Sequence, residues 1–183
     1  MNSYSSPAAC GGEIEFIKLS AGKPGILSAI LRASYADLLR TDPEWESEAE
    51  NWDQYDRDAF AQPGTVGACL FLTRAGGRIA GFASWDPRKG PEYGIVGHNC
   101  ILPEFRGRGL GKIQIMEILS RFEKLSIRNA KATTLDHPFF APAQSMYRSC
   151  GFRETSRIPW DRDTSRSLIQ YERVISPRQL CPE

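Results

Sequence analysis

The chain has 183 residues, 41% of them hydrophobic and 25% charged, with a formal net charge of +1. That length suits one globular domain with a real core, and the near-neutral balance supplies no field to recruit nucleic acid or an anionic membrane. No apolar run approaches the roughly twenty residues of a membrane helix, and five scattered cysteines without CxxC spacing, beside only two histidines, argue against a disulfide framework or a zinc centre.

Residues 1–12, MNSYSSPAACGG, are small and polar, without the charged and apolar regions of a signal peptide. They read as a flexible arm ahead of a single domain over 13–183, and reduced thiols suggest a cytoplasmic protein. Glu13–Leu19 alternates apolar and polar, predicting a first strand. Ile26, Leu27, Ile30, Leu31, Leu38 and Leu39 recur at helical spacing up to the break at Thr41, Asp42 and Pro43. Glu46–Phe60 predicts a second helix, within a strongly acidic stretch from Asp42 to Asp58. Two β-rich runs, 65–73 and 78–85, flank a hairpin signal at Ala75, Gly76 and Gly77. A further strand over 93–102 ends at Pro103.

Next comes LPEFRGRGLGK, Leu102 to Lys112. A Walker A loop needs four residues between its glycines and Ser or Thr after the Lys; here Gly107 and Gly111 enclose three, and Ile113 follows Lys112. The dinucleotide fingerprint fails as well, because Lys112 stands where its third glycine belongs. A third pattern, Arg or Gln, then Gly-x-Gly after two residues, is met by Arg106, Gly109 and Gly111. Its physics is that of free amides and a positive dipole end at a helix start, approached closely by a pyrophosphate over small residues. Behind the turn, Ile115, Ile118, Leu119, Phe122 and Leu125 define an amphipathic helix. A strand over 131–136, a short helix with Pro142 near its start and Gly151 past its end, and an alternating strand over 167–175 complete a mixed α/β domain.

In the turn, the strand IVGHNCIL before it, and the later AQSMYRSCGF, the sequence resembles the GNAT superfamily of acetyl-coenzyme A-dependent N-acetyltransferases. The likeness is close from Tyr93 to Phe152. It implies a central, mixed, mostly antiparallel sheet splayed between its fourth and fifth strands and flanked by helices. Pantetheine would lie in the gap beside Cys100, Ile101 and Leu102, and the diphosphate over Arg106, Gly107, Arg108, Gly109, Leu110, Gly111 and Lys112. A backbone N–H near Ile101 would hold the developing oxyanion. Tyr147 matches the family's general-acid tyrosine. Where members often carry Asn, this chain has Phe140, which implies an apolar cofactor contact.

The base is less defined. Alternation puts Ile95, Gly97 and Asn99 on one face of their strand and Val96, His98 and Cys100 on the other, and a bulge would change the face of His98. His98 is the candidate base, with His137 second. Trp45, Trp52 and Trp85 are candidate acceptor contacts. Carboxylates among aromatics suit a cationic amine, although a solvated acidic helix explains them too, and Arg157, Arg162 or Arg166 would instead suit an anionic acceptor. Cys100 and Cys150 lack a visible His or Asp partner, so direct transfer from acetyl-CoA to a primary amine is expected, without an acyl-enzyme or a metal. The alternative is a non-catalytic acyl-CoA-binding module. Dimers occur among similar proteins, so a homodimer stays open.

Overall fold

The computed structural model describes residues 13–42 and 45–175. The expected N-terminal arm, Pro43, Glu44, Cys10 and Cys181 lie outside the described residues. Strands β1 (Ile14–Ile17), β2 (Leu70–Ala75), β3 (Arg78–Asp86) and β4 (Tyr93–Ile101) form an antiparallel meander. β5 (Asn129–Leu135) joins β4 in parallel, and β6 (Arg153–Pro159) and β7 (Ser167–Val174) are antiparallel. The sheet order is β1-β2-β3-β4-β5-β7-β6.

Helices cover both faces because alternate strand residues are apolar on both. On one face, α1 (Ile26–Ser34), α2 (Ala36–Thr41) and α3 (Glu46–Ala61) close a core containing Leu27, Leu31, Trp52, Leu72, Phe82 and Cys100. On the other, α4 (Leu110–Lys124) and α5 (Ala141–Ser149) bury Ile115, Ile118, Phe122 and Tyr147 against Phe71, Ala132 and Tyr171. Each such large side chain contributes about 1.5–3 kcal/mol on burial. Leu125, expected to extend the α4 stripe, lies past the helix end and is 54% exposed.

Several expectations need correction. The helix over 26–39 breaks at Tyr35 (φ −107°, ψ 11°) into α1 and α2. The run from Thr65 begins as a 3-10 turn at Gly67–Cys69 and becomes strand only at Leu70. The sequence reading omitted β6 altogether: every residue of this edge strand is exposed, so it shows no alternation to detect.

Two irregularities in β4 shape the site. The β3–β4 register shifts between Ala83 and Trp85, and the His98 amide donates to Ser84 Oγ at 2.9 Å. Before this bulge Val96 packs with the α4 core; after it Cys100 packs with the α1/α3 core. Val96 and Cys100 therefore occupy opposite faces rather than one. A Cβ on Gly97 would come within 2.5 Å of Ser84 Oγ, so the bulge needs glycine there. The second irregularity is the splay: β4 pairs with β5 only from Tyr93 to Ile95 and is unpaired with it beyond.

Candidate active site

At the end of β4, Leu102 N–H is taken by the Ala80 carbonyl (2.8 Å). Strand alternation then turns the N–H of Ile101 away from β3 and into the gap left by β5. The Ile101 carbonyl shares that edge and accepts from Arg106 Nε at 3.2 Å and Ser34 Oγ at 3.4 Å. The Arg106 guanidinium also donates to the carbonyl of Ser34, the last residue of α1. Arg108 donates to the Glu104 carbonyl (2.9 Å) and lies over the Phe105 ring.

Gly107 and Gly109 have φ of +73° and +76°, where a side chain would be strained. This conformation starts α4 abruptly at Leu110, and its first helical bond runs from Ile113 N–H to the Gly109 carbonyl (3.1 Å). The amides of Leu110, Gly111 and Lys112 therefore precede the helical ladder. They border a cavity of about 810 Å³ lined by Asn99, Cys100, Ile101, Arg106, Gly107, Gly109, Leu110, Gly111, Lys112 and, from α5, Ala143, Ser145, Met146 and Ser149. Positive amides, small residues and a lysine at one end, with an open strand edge at the other, fit an elongated acyl carrier with a diphosphate.

Of the residues singled out by sequence, Cys100, Ile101, Arg106, Gly107, Gly109, Leu110, Gly111, Lys112 and Phe140 line this cavity. Arg108, Leu102 and Tyr147 are not among its lining residues. Tyr147 is 5% exposed, with its ring 5.5 Å from Phe152 and 5.6 Å from Tyr171. Burial raises its pKa, with Cys100, Cys150 and Tyr171 adding to the effect, so the phenol stays protonated. Sequence reasoning missed Tyr35. Its phenol lines the cavity, contacts the Cys100 thiol, and has a pKa raised mainly by burial. Only the helix break places Tyr35 there, and no sequence pattern announced it.

Tyr35 belongs to an aromatic wall. Its ring lies 5.2 Å from Trp52, 5.5 Å from Phe139 and 6.0 Å from both Trp45 and Phe140. Trp45 continues it to Trp160 at 6.0 Å. Trp45 and Trp52 thus stand together, whereas Trp85 packs elsewhere, 5.9 Å from Phe71.

A second cavity, about 880 Å³, runs along Ile95 to His98 of β4 and reaches Thr133 of β5. Tyr55, Ser84, Trp85, Asp86, Ile95, Gly97 and His98 line it. The His98 ring is 5.0 Å from Tyr55, and burial lowers its pKa against an opposing pull from Glu48. His98 is thus neutral at pH 7. His137 is placed differently: its Nδ1 accepts from the Phe139 amide (3.1 Å) and caps the turn before α5.

The acidic helix is largely committed to the fold. Asp56 accepts from the amides of Gly25 (2.6 Å) and Leu27 (2.8 Å) at the start of α1, and Asp53 pairs with Arg32 (2.7 Å). Glu48 pairs with Arg162; Arg166 pairs with Asp42 (2.9 Å) and Asp163 (3.0 Å), and Arg157 with Asp136 and Glu154. Glu48, Asp53 and Asp56, and the three arginines named as candidate anion contacts, thus each have a partner within the fold. Cys69, Cys100 and Cys150 are free thiols, and burial pushes Cys100 up to about 12, unsuited to a nucleophile. Among the described residues no group of three or more metal-ligating side chains gathers, and no helix is long and apolar enough to cross a membrane.

Solved structures share this architecture. A protein assigned to the GNAT family from Desulfovibrio desulfuricans is 16% identical, with 91% of this chain and 100% of that one covered, at a TM-score of 0.70. YncA from Salmonella typhimurium, solved with its cofactor acetyl-CoA, is 15% identical over 94% and 98% of the two chains (TM-score 0.65). Ard1 from Thermoplasma volcanium is 14% identical over 90% and 98% (TM-score 0.64). No curated protein matches the sequence. The acetyltransferase (GNAT) family model matches residues 32–152, from α1 through the splayed strands to the end of α5, and the chain belongs to the GNAT family of acetyltransferases.

Proposed function

We propose that the protein transfers the acetyl group of acetyl-CoA directly to a primary amine. One observation carries the reading: successive residues of β4 line the two cavities, Asn99 the first and His98 the second, in the part of the strand that no longer pairs with β5. Acetyl-CoA occupies the first cavity, its diphosphate at the amides of Leu110, Gly111 and Lys112, and the amine enters from the second. YncA, solved with acetyl-CoA, supports the choice of cosubstrate.

The neutral amine attacks the thioester carbon, whose oxygen gains charge at the Ile101 N–H. As the carbon–sulfur bond breaks, the sulfur takes a proton from a tyrosine hydroxyl. Tyr147 fills that role by motif, and Tyr35, on the cavity wall, stands as the second donor. An amine with pKa near ~10 must lose a proton, and the uncharged imidazole of His98 receives it. Trp85, Tyr55 and Ile95 offer the acceptor an apolar seat, while Asp86 is held by Arg88 at 2.6 Å. The acceptor is accordingly an amine with an apolar body rather than a polycation.

The test is thiol release from acetyl-CoA across apolar, polycationic and anionic amines. Turnover with apolar amines is expected. Tight acetyl-CoA binding without turnover on any amine would instead indicate a non-catalytic acyl-CoA-binding module.

A further inference from the structure

The first cavity continues beside the strand edge that receives the thioester. Ser34 Oγ donates to the Ile101 carbonyl at 3.4 Å, and the Tyr35 phenol contacts the Cys100 thiol. The rings of Phe139 and Phe140 lie 5.5 and 6.0 Å from that of Tyr35, and all three residues line the cavity. Phe139 and Phe140 belong to the turn Pro138–Phe140, none of whose residues is buried, so the fold leaves their rings partly uncovered. Among the described lining residues only Arg106 and Lys112 are cationic. Arg106 already donates to the Ser34 and Ile101 carbonyls, and Lys112 sits in the first turn of α4 with the amides assigned to the diphosphate.

Partly covered rings beside the reacting carbonyl gain by burying more apolar surface, and an acetyl methyl is too small to cover three of them. With both lining cations engaged elsewhere, a charged acyl group would lose its hydration without gaining a partner. We propose that Tyr35, Phe139 and Phe140 form an acyl pocket, and that the protein takes coenzyme A thioesters whose acyl chain is apolar and longer than acetyl, such as butyryl. The transfer keeps the same balance. The nitrogen–carbon bond forms as the carbon–sulfur bond breaks, the amine gives up one proton and the departing sulfur takes one. The inference rests on the acetyl-CoA reading of the first cavity and adds to it the selection of the acyl group.

Calorimetric titration of the full chain with acetyl-, butyryl- and succinyl-coenzyme A tests it without requiring an acceptor. Each buried methylene should tighten binding about fourfold, so butyryl-coenzyme A should bind about tenfold tighter than acetyl-coenzyme A. Succinyl-coenzyme A should bind no tighter than acetyl-coenzyme A. Phe140→Ala should reduce the butyryl preference to about threefold or less, and Phe139→Ala gives the same reading should the first variant not melt as a folded protein. Equal or weaker binding of butyryl-coenzyme A by the wild type overturns the acyl pocket while leaving the acetyl-CoA site standing. Succinyl-coenzyme A bound as tightly as butyryl-coenzyme A, or a full preference kept by a folded variant, overturns it as well. Binding of no thioester refutes both readings together.

Discussion

Arg106 grips the carbonyl of Ser34. The first cation of the glycine turn, which sequence pattern assigns to the cofactor's anion, instead ties the end of α1 to the open edge of β4 through Ser34 and Ile101. It thereby fixes the helix break that presents Tyr35 to the cavity. Arg106→Ala should lower stability by about 1–3 kcal/mol, from two carbonyls losing a charged donor, and weaken acetyl-CoA binding by loosening the cavity wall. Thermal melts with and without coenzyme A measure both; an unchanged melt would remove the clamp from the account.

The conformation of Gly109 separates strain from charge. At φ +76° an alanine costs about 1–2 kcal/mol in stability. Gly109→Asp adds a negative charge where the diphosphate should sit. We expect Gly109→Ala to melt earlier but still bind acetyl-CoA, and Gly109→Asp to show no binding by calorimetry.

Two phenols compete for one role. Tyr147→Phe should reduce kcat by roughly 10²–10⁴ with little change in acetyl-CoA affinity if it protonates the leaving sulfur. If Tyr35→Phe shows that loss and Tyr147→Phe does not, the proton comes from the cavity wall rather than from the motif position. Single-turnover kinetics on both variants decide between them.

His98 predicts a pH dependence of definite sign. Burial holds its folded pKa below the ordinary 6.5, so folding favours the neutral ring. Between the folded and unfolded values the unfolded chain binds more protons, and stability rises with pH. The contribution is complete above about 6.5 and is lost as pH falls through the folded pKa. Activity should show an acid limb below 6.5, and His98→Gln should abolish that limb while also flattening the stability profile. An acid limb that persists in the variant assigns the base elsewhere.

Asp56 anchors α1 from α3. Asp56→Ala leaves the amides of Gly25 and Leu27 without their acceptor, at a cost of about 1–2 kcal/mol. Chemical denaturation should register it, with the slope against denaturant unchanged.

The sequence by itself determined the turn, the α4 stripe and the strand–helix order, because these depend on residues close together in the chain. Gly107 and Gly109 fix a local backbone at positive φ, and Ile115, Ile118 and Phe122 fix a helical face. Edge strand β6 escaped notice because exposure erased its alternation. Only the tertiary structure decided which groups meet. The bulge at Gly97 and His98 swaps the faces of β4 through Ser84, a residue fourteen positions away. Arg106 reaches back seventy-two positions to Ser34. Three carboxylates of α3, readable as part of a cation site, prove to be partners for α1 (Asp53 and Asp56) and for Arg162 after β6 (Glu48). Contacts of that range carry no periodicity, so they become visible only once the chain has folded.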